Sequence, residues 1–304
     1  MAEKDITEKD LEAKPDVFAD IMNNLMFGGV EYVKEDDLEQ GRERSSYSSE
    51  TQPIREQVRD VSKFWKQNQI RLAHVGLENQ TEPEDDMPFR NIGYDGAAYR
   101  DQISYVTDAD GKRHKVLERY PVVTLTLYMG YEKRWDKAKS LYEALGDKLD
   151  DRLKPFVHDY PLNLFEIAFI TDEQLAKFKS DFWFVADYLV QMRKDNRYVP
   201  SDRQMRHVRE VLNIMAALTG DERFRMNANE IEEGDEPLTM NDFFSKAIKK
   251  SEEEGRREGE KKAADLINYL WLNGRGEDAM KASEDQDYFD ALLSDYQNGV
   301  LAVS

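Results

Sequence analysis

Ile70-Arg71-Leu72-Ala73-His74-Val75-Gly76-Leu77-Glu78-Asn79-Gln80 is the stretch whose reading decides the fold. Its apolar run from Ile70 to Leu77 has the length of a buried strand, and strand alternation sends Glu78 and Gln80 off its end to the same side. Asp60 precedes it across Lys66-Gln67-Asn68-Gln69, a polar connection that predicts a hairpin turn. Such a hairpin brings the carboxylates of Asp60 and Glu78 together at a strand end. Ile54, Val58, Val61 and Trp65 also fall at helical spacing, so a helix carrying Asp60 is the alternative. Two carboxylates at one strand end suit Mg²⁺ or Mn²⁺, which can make hydroxide and stabilise a phosphoryl transition state.

Upstream, Val17, Phe18, Ile21, Met22, Leu25 and Met26 make one apolar stripe. They predict a helix from Pro15 to Phe27, opened by proline and stopped by Gly28-Gly29. Asp16 and Asp20 lie one turn apart near its start, where acids also favour the helix dipole. The polar stretch from Lys34 to Arg55 reads as a mobile connection. Downstream, Met87 to Val106 reads as a helix whose Ile92, Gly93, Gly96, Ala97 and Ile103 favour close packing on a sheet. Val122, Val123, Leu125 and Leu127, flanked by Tyr120 and Tyr128, carry the β-branched and aromatic signature of a central strand. Leu141 to Leu145 is a short helix, and Leu162 to Ile170 a last strand. Strands separated by helices predict an α/β sheet.

From Thr171 the chain turns helical, over Asp172 to Arg193 and Met205 to Leu218. An acidic linker follows from Gly220 to Pro237. Helices are then expected near Met240 to Glu254, Ala263 to Leu272 and Tyr288 to Tyr296. The expected division is 1–170 as an α/β core, 171–220 as a helical extension packed on it, and 221–304 as the acidic linker with a helical module for interaction or homo-oligomeric assembly.

Composition narrows the chemistry. The 304 residues contain no cysteine, which removes disulfides, thiolate metal sites and a cysteine nucleophile and fits a reducing cytoplasm. The four histidines stand far apart and read as structural or surface residues. No apolar run approaches membrane-spanning length and the first twelve residues have no apolar signal core, so a cytoplasmic chain without membrane attachment is expected. The formal net charge of -19 means that any DNA-binding face must be local, since phosphate contacts need lysine and arginine. Lys133, Arg134 and Lys137 around Trp135 are the candidates, against a plainer reading in which the loop is solvated and Trp135 is tucked into the core.

A family resemblance is carried by Asp60-Val61, Val75-Gly76-Leu77-Glu78-Asn79-Gln80-Thr81, Met87-Pro88-Phe89-Arg90 and Tyr94-Asp95-Gly96-Ala97-Ala98-Tyr99. It continues through Tyr120-Pro121-Val122-Val123-Thr124-Leu125 and Phe178-Lys179-Ser180-Asp181-Phe182 to Leu218-Thr219-Gly220-Asp221-Glu222-Arg223-Phe224. The chain resembles the recombination-promoting nuclease (Rpn) and transposase family of the PD-(D/E)XK nuclease superfamily. That resemblance implies a restriction-endonuclease-like mixed sheet flanked by helices and a Mg²⁺- or Mn²⁺-dependent DNA endonuclease. Asp60 matches the first acid, Glu78 the second, and Gln80 the lysine position. By the same resemblance Asp60 and Glu78 hold the ion, the backbone carbonyl of Asn79 adds a ligand, and Gln80 orients the attacking water. Where the family has an acid three residues before the first helix's phenylalanine, this chain has Pro15, and Asp16 is offered instead. The other function class is a degenerate nuclease fold acting as a non-catalytic nucleic-acid- or protein-binding or assembly protein.

Overall fold

The computed structural model describes residues 9–41, 44–49, 52–58, 60–68, 70–103, 105–115, 119–228 and 238–297. The chain divides into two compact units, Met1–Val199 with Arg203–Leu238, and Pro200–Asp202 with Thr239–Ser304. The stretch 171–220, expected as an extension of the core, thus falls almost entirely within the same unit as the sheet.

The first unit is built on a five-stranded mixed sheet. Its strands in chain order are β1 (Leu38–Gln40), β4 (Val61–Gln67), β5 (Ile70–Gln80), β8 (Val122–Tyr128) and β9 (Asn163–Glu166), and this is also their order across the sheet. The intervening strands form two separate hairpins, β2 (Arg44–Ser49) with β3 (Gln52–Val58) and β6 (Tyr105–Thr107) with β7 (Arg113–Lys115). The expected mobile connection over Lys34 to Arg55 therefore contains β1, β2 and the start of β3. β4 and β5 are antiparallel and meet at Asn68, whose φ of 50° provides a left-handed turn residue. The hairpin reading holds and the helical one does not. Ile54 and Val58 lie on one strand and Val61 and Trp65 on the next, so their spacing crosses a chain break in regularity.

β5, β8 and β9 run parallel, and β5 pairs with β8 without a register shift from His74 opposite Val122 to Gln80 opposite Tyr128. Uninterrupted pairing gives the two sheet faces different chemistry. On one face Val75, Leu77, Leu125 and Leu127 are fully or almost fully buried. On the other face His74, Glu78, Thr124 and Thr126 are buried and polar. The helix α1 (Pro15–Leu25) belongs with the apolar face, where Lys63 of β4 lies over the Phe18 ring. The helix α2 (Met87–Asp101) covers the polar face. It ends at Asp101 rather than at Val106, and of the residues expected to pack on the sheet Ala97 is buried while others are not. Gly96 and Ile103 are exposed, and Asn91 and Asp95 are buried instead, Asn91 donating to Thr126 Oγ1 at 3.1 Å and Asp95 accepting from Thr124 Oγ1 at 2.6 Å. A polar sheet face demands hydrogen-bonding partners from whatever covers it.

The remaining helices of this unit are α3 (Leu141–Leu145), α4 (Asp172–Leu175), α5 (Phe182–Asp195), α6 (Val208–Thr219) and α7 (Glu222–Ala228). The single helix expected over Asp172 to Arg193 is broken between Leu175 and Phe182, where Asp20 of α1 accepts the backbone N–H groups of Lys179 and Ser180. The last strand is cut short by a 3-10 turn over Ile167–Phe169. Part of the acidic linker, 229–237, lies outside the described residues.

The second unit contains α8 (Met240–Leu272), α9 (Gly276–Glu284) and α10 (Gln286–Gln297). Thr239 and Asp242 form a capping box at the start of α8. The two helices expected over Met240–Glu254 and Ala263–Leu272 are one, which runs through Gly255 and Gly259 without a break. Leu266 and Leu270 pack with Ala279, Ala282 and Leu292 into a small core. Among the described residues, no helix is long and apolar enough to cross a membrane.

One buried side chain ties the segment before β1 to α1. Asn23 donates to the Val33 carbonyl at 2.8 Å and accepts the Val33 N–H at 2.9 Å and the Tyr32 N–H at 3.0 Å. Val33 is only 2% exposed, so Asn23→Ala strands two buried backbone groups and is expected to lower unfolding free energy by about 2–3 kcal/mol. Urea unfolding checks this, and a loss below about 1 kcal/mol would show that water reaches the segment.

Candidate functional site

The strand register positions the two principal acids. Val61 stands opposite Leu77, so continuing the antiparallel pairing by one residue sets Asp60 opposite Glu78. Asp60 also accepts the Asn79 backbone N–H through Oδ2 at 2.8 Å. Within a strand the N–H and C=O of one residue point to the same side. The Gln80 carbonyl accepts the Met129 N–H at 2.7 Å, toward β8. The Asn79 carbonyl accordingly faces the opposite side, toward Asp60.

The Glu78 side chain is almost wholly enclosed. Its Oε1 accepts from Arg90 Nη2 and from the Tyr94 hydroxyl at 3.2 Å, both on α2, while its Oε2 is buried without a hydrogen-bond partner. Arg90 and Tyr94 are four residues apart, the spacing that places two helical side chains on one face. Asp60 pairs with Lys9 at 3.0 Å. Gln80, on the same face as Glu78 and two residues on, is 8% exposed.

A third acid lies across the strand. The Asn79 amide donates to Glu12 Oε2 at 2.8 Å, and Asn79 Oδ1 is buried without a hydrogen-bond partner. Glu12 ends the helical turn over 9–12 and is completely buried. Asp16, the acid expected here, is committed elsewhere. It accepts from His207 Nε2 at 2.9 Å and pairs with Arg206 at 3.1 Å. A one-turn displacement along the chain separates the two acids, and Pro15 stands between them as the break between the helical turn and α1.

Alternation puts the Glu78 and Asn79 side chains on opposite faces of the sheet, so Glu12 approaches from the α1 side and Glu78 from the α2 side. This explains why, among the described residues, no group of three or more His, Asp or Glu side chains converges as a metal cage. The donor set still fits a hard divalent ion. The Asp60 carboxylate, the Asn79 carbonyl and the buried Glu78 Oε2, which has no hydrogen-bond donor, are oxygen ligands of the kind suited to Mg²⁺, which keeps several waters and uses only one or two protein carboxylates.

Burial and then the negative charge of Asp60 push the Glu78 carboxyl up to about 8, against the opposing pull of Arg90. For Arg90, burial works against the charge, but Glu78 and Tyr94 outweigh it and hold the guanidinium above its ordinary value. Arg90 therefore stays cationic, and Glu78 is the member of the pair whose carboxyl is shifted toward its protonated form.

The expected cations Lys133, Arg134 and Lys137 are surface residues paired with Asp136 at 3.5 Å, Glu166 at 2.8 Å and Asp85 at 3.0 Å. Trp135 is 3% exposed and stands edge-on to Tyr128, as the plainer reading of that loop expects. The sequence reading missed Glu12, Lys9, Arg90 and Tyr94 as site residues. For Arg90 and Tyr94, the four-residue spacing on the first helix after Glu78 was a usable signal.

No family model, curated protein or solved structure matches this chain.

The raised Glu78 carboxyl has a measurable consequence. Between its ordinary pKa of 4.5 and about 8, the native protein keeps a proton that the unfolded chain has released. This group's stabilising contribution is complete below 4.5 and is lost as pH rises through about 8. In chelator, Glu78→Gln should flatten the fall in urea midpoint across that range. An unchanged slope would mean that Glu78 is ionised throughout in the native protein.

Proposed function

We propose that the protein is a metal-dependent DNA endonuclease of the PD-(D/E)XK type, hydrolysing phosphodiester bonds as recombination-promoting nucleases do. The observation that carries this reading is the placement of Asp60 beside Glu78 and the Asn79 backbone at the end of the two central strands. A bound Mg²⁺ or Mn²⁺ would supply hydroxide at neutral pH and electrostatic stabilisation of the phosphoryl transition state. Asp60, Glu78 and the Asn79 carbonyl would hold it. The Asn79 N–H fixes the Asp60 carboxylate, and the Tyr94 hydroxyl fixes Glu78, so neither acid must be ordered when the ion enters. Gln80, on the Glu78 face, positions water through its amide and adds no charge.

A second reading is favoured by one observation: Lys9 and Arg90 already pair with Asp60 and Glu78. On that reading the fold is a non-catalytic binding or assembly protein whose acids are neutralised internally.

Cleavage of double-stranded DNA separates the two. Activity is expected with Mg²⁺ or Mn²⁺ and should stop with chelator. Asp60→Asn and Glu78→Ala should each lower it by at least about 100-fold with the fold intact, whereas Gln80→Lys should retain or raise it at fixed salt. Wild-type protein inert with both metals at low salt would support the second reading.

A further inference from the structure

The neutral residue at position 80 leaves the proposed site without the cation that stabilises charge at a phosphate, and α2 offers one. Arg90 Nη2 donates to Glu78 Oε1, and Arg90 Nη1 pairs with Glu84 at 3.1 Å. The Arg90 side chain is 36% exposed and Glu84 is 52% exposed, so the guanidinium spans from a buried carboxylate to the solvent edge of the site. Its position on α2 is fixed by more than its own bonds. Asn91 to Thr126 and Asp95 to Thr124 tie the helix to β8 beside the contact with Glu78. Tyr94 lies within 3.4 Å of the same Arg90 nitrogen and also bonds Glu78.

We propose that Arg90 is the phosphate-binding cation of the site, taking the role that a lysine two residues after Glu78 would otherwise have. The assignment rests on the nuclease reading. Arg90 keeps one nitrogen on Glu78 and turns the solvent-side one from Glu84 to a nonbridging oxygen of the substrate phosphodiester. A planar guanidinium can serve two acidic groups at once because its five donors form a rigid fork. Glu84 is an exposed loop acid and holds Arg90 only weakly against a phosphate, since exposed ion pairs are worth little. Lys9 is less suited, because its single ammonium already pairs with Asp60, whereas Arg90 has a second, solvent-side nitrogen beyond the one on Glu78.

The test uses the full-length protein, a short DNA duplex and Mn²⁺. Arg90→Ala and Arg90→Gln should lower kcat/KM for cleavage by about 100- to 1000-fold. In chelator, both should reduce the slope of log binding constant against log salt by about 1, the signature of one lost phosphate contact. Introducing Q80K into the Arg90→Ala protein should recover at least about tenfold of the lost activity, because it restores a cation on the same face. Calorimetry should find Mn²⁺ affinity unchanged or higher in Arg90→Gln, since a competitor for Glu78 has gone. A lowered Mn²⁺ affinity with an unchanged salt slope would overturn the proposal and make Arg90 only a support for Glu78. Full activity in both Arg90 variants would also overturn it while leaving the nuclease reading in place. Wild-type protein that binds Mn²⁺ but neither binds nor cuts DNA would sink the nuclease reading and this assignment together.

Discussion

The constraint on which the rest depends is the burial of a carboxylate at position 78. An ionised carboxylate taken from water without compensation is prohibitively costly, so it must be protonated, paired or coordinated. Here the strand end delivers Glu78 to a face that is polar over several residues, and α2 must cover it with donors. Asn91, Tyr94, Asp95 and Arg90 are what such a face requires. An apolar helix over Thr124, Thr126 and Glu78 would leave three buried polar side chains unsatisfied. The composition of α2 follows from the location of one acid.

The opposite face obeys the other rule. Val75, Leu77, Leu125 and Leu127 need apolar cover, and the stripe of α1 with Phe18, Ile21 and Met22 fully buried supplies it. The parallel pair β5 and β8 thus has one face dictated by hydrophobic burial and one by hydrogen-bond satisfaction. Buried polar networks specify register more sharply than apolar contact does, because a slip by one residue leaves groups unpaired. The uninterrupted register between His74 and Gln80 is where geometric accuracy matters, and it is on that side that the polar network lies.

Much of this was legible in the sequence. The β5 run, the central strand at Val122–Tyr128, α1 and the short helix Leu141–Leu145 each carry a local pattern that no tertiary contact contradicts. The hairpin was legible too, but its two-residue turn alone would set Asp60 opposite Leu77, and it is the β-bulge between Trp65 and Lys66 that moves the register by one and brings Asp60 opposite Glu78. Other features depend on contacts remote in sequence. Helical spacing from Ile54 to Trp65 is coincidental because the strands either side of Asp60 alternate independently. The break after Leu175 depends on Asp20, more than 150 residues earlier, which accepts the N–H groups that a continuing helix would have used. Glu12 was missed because its place is set by Asn79, 67 residues away, whereas Asp16 looked better placed on the helix itself. Its carboxylate instead completes a pair with His207, which no local pattern reveals.

On the nuclease reading, an acidic chain has to be reconciled with an anionic substrate through its local charge balance. Around the strand end stand four acids, Glu12, Asp60, Glu78 and Glu84, and two cations, Lys9 and Arg90, a formal sum of -2 with every acid ionised. With Glu78 protonated the sum is -1, and the exposed Glu84 is the acid that salt screens most. A divalent ion held by the ionised acids would change -2 to zero. On the nuclease reading, a bound ion would therefore offset the local negative charge that otherwise opposes a phosphate. The remaining charge of the molecule matters less than the formal -19 suggests, because screening confines surface charges to about 8–10 Å at physiological salt whereas groups around an enclosed carboxylate are screened far less. On that reading, affinity for a polyanion depends on the few groups at the strand end, and a bound ion would raise it in a way that a permanently basic groove would not need.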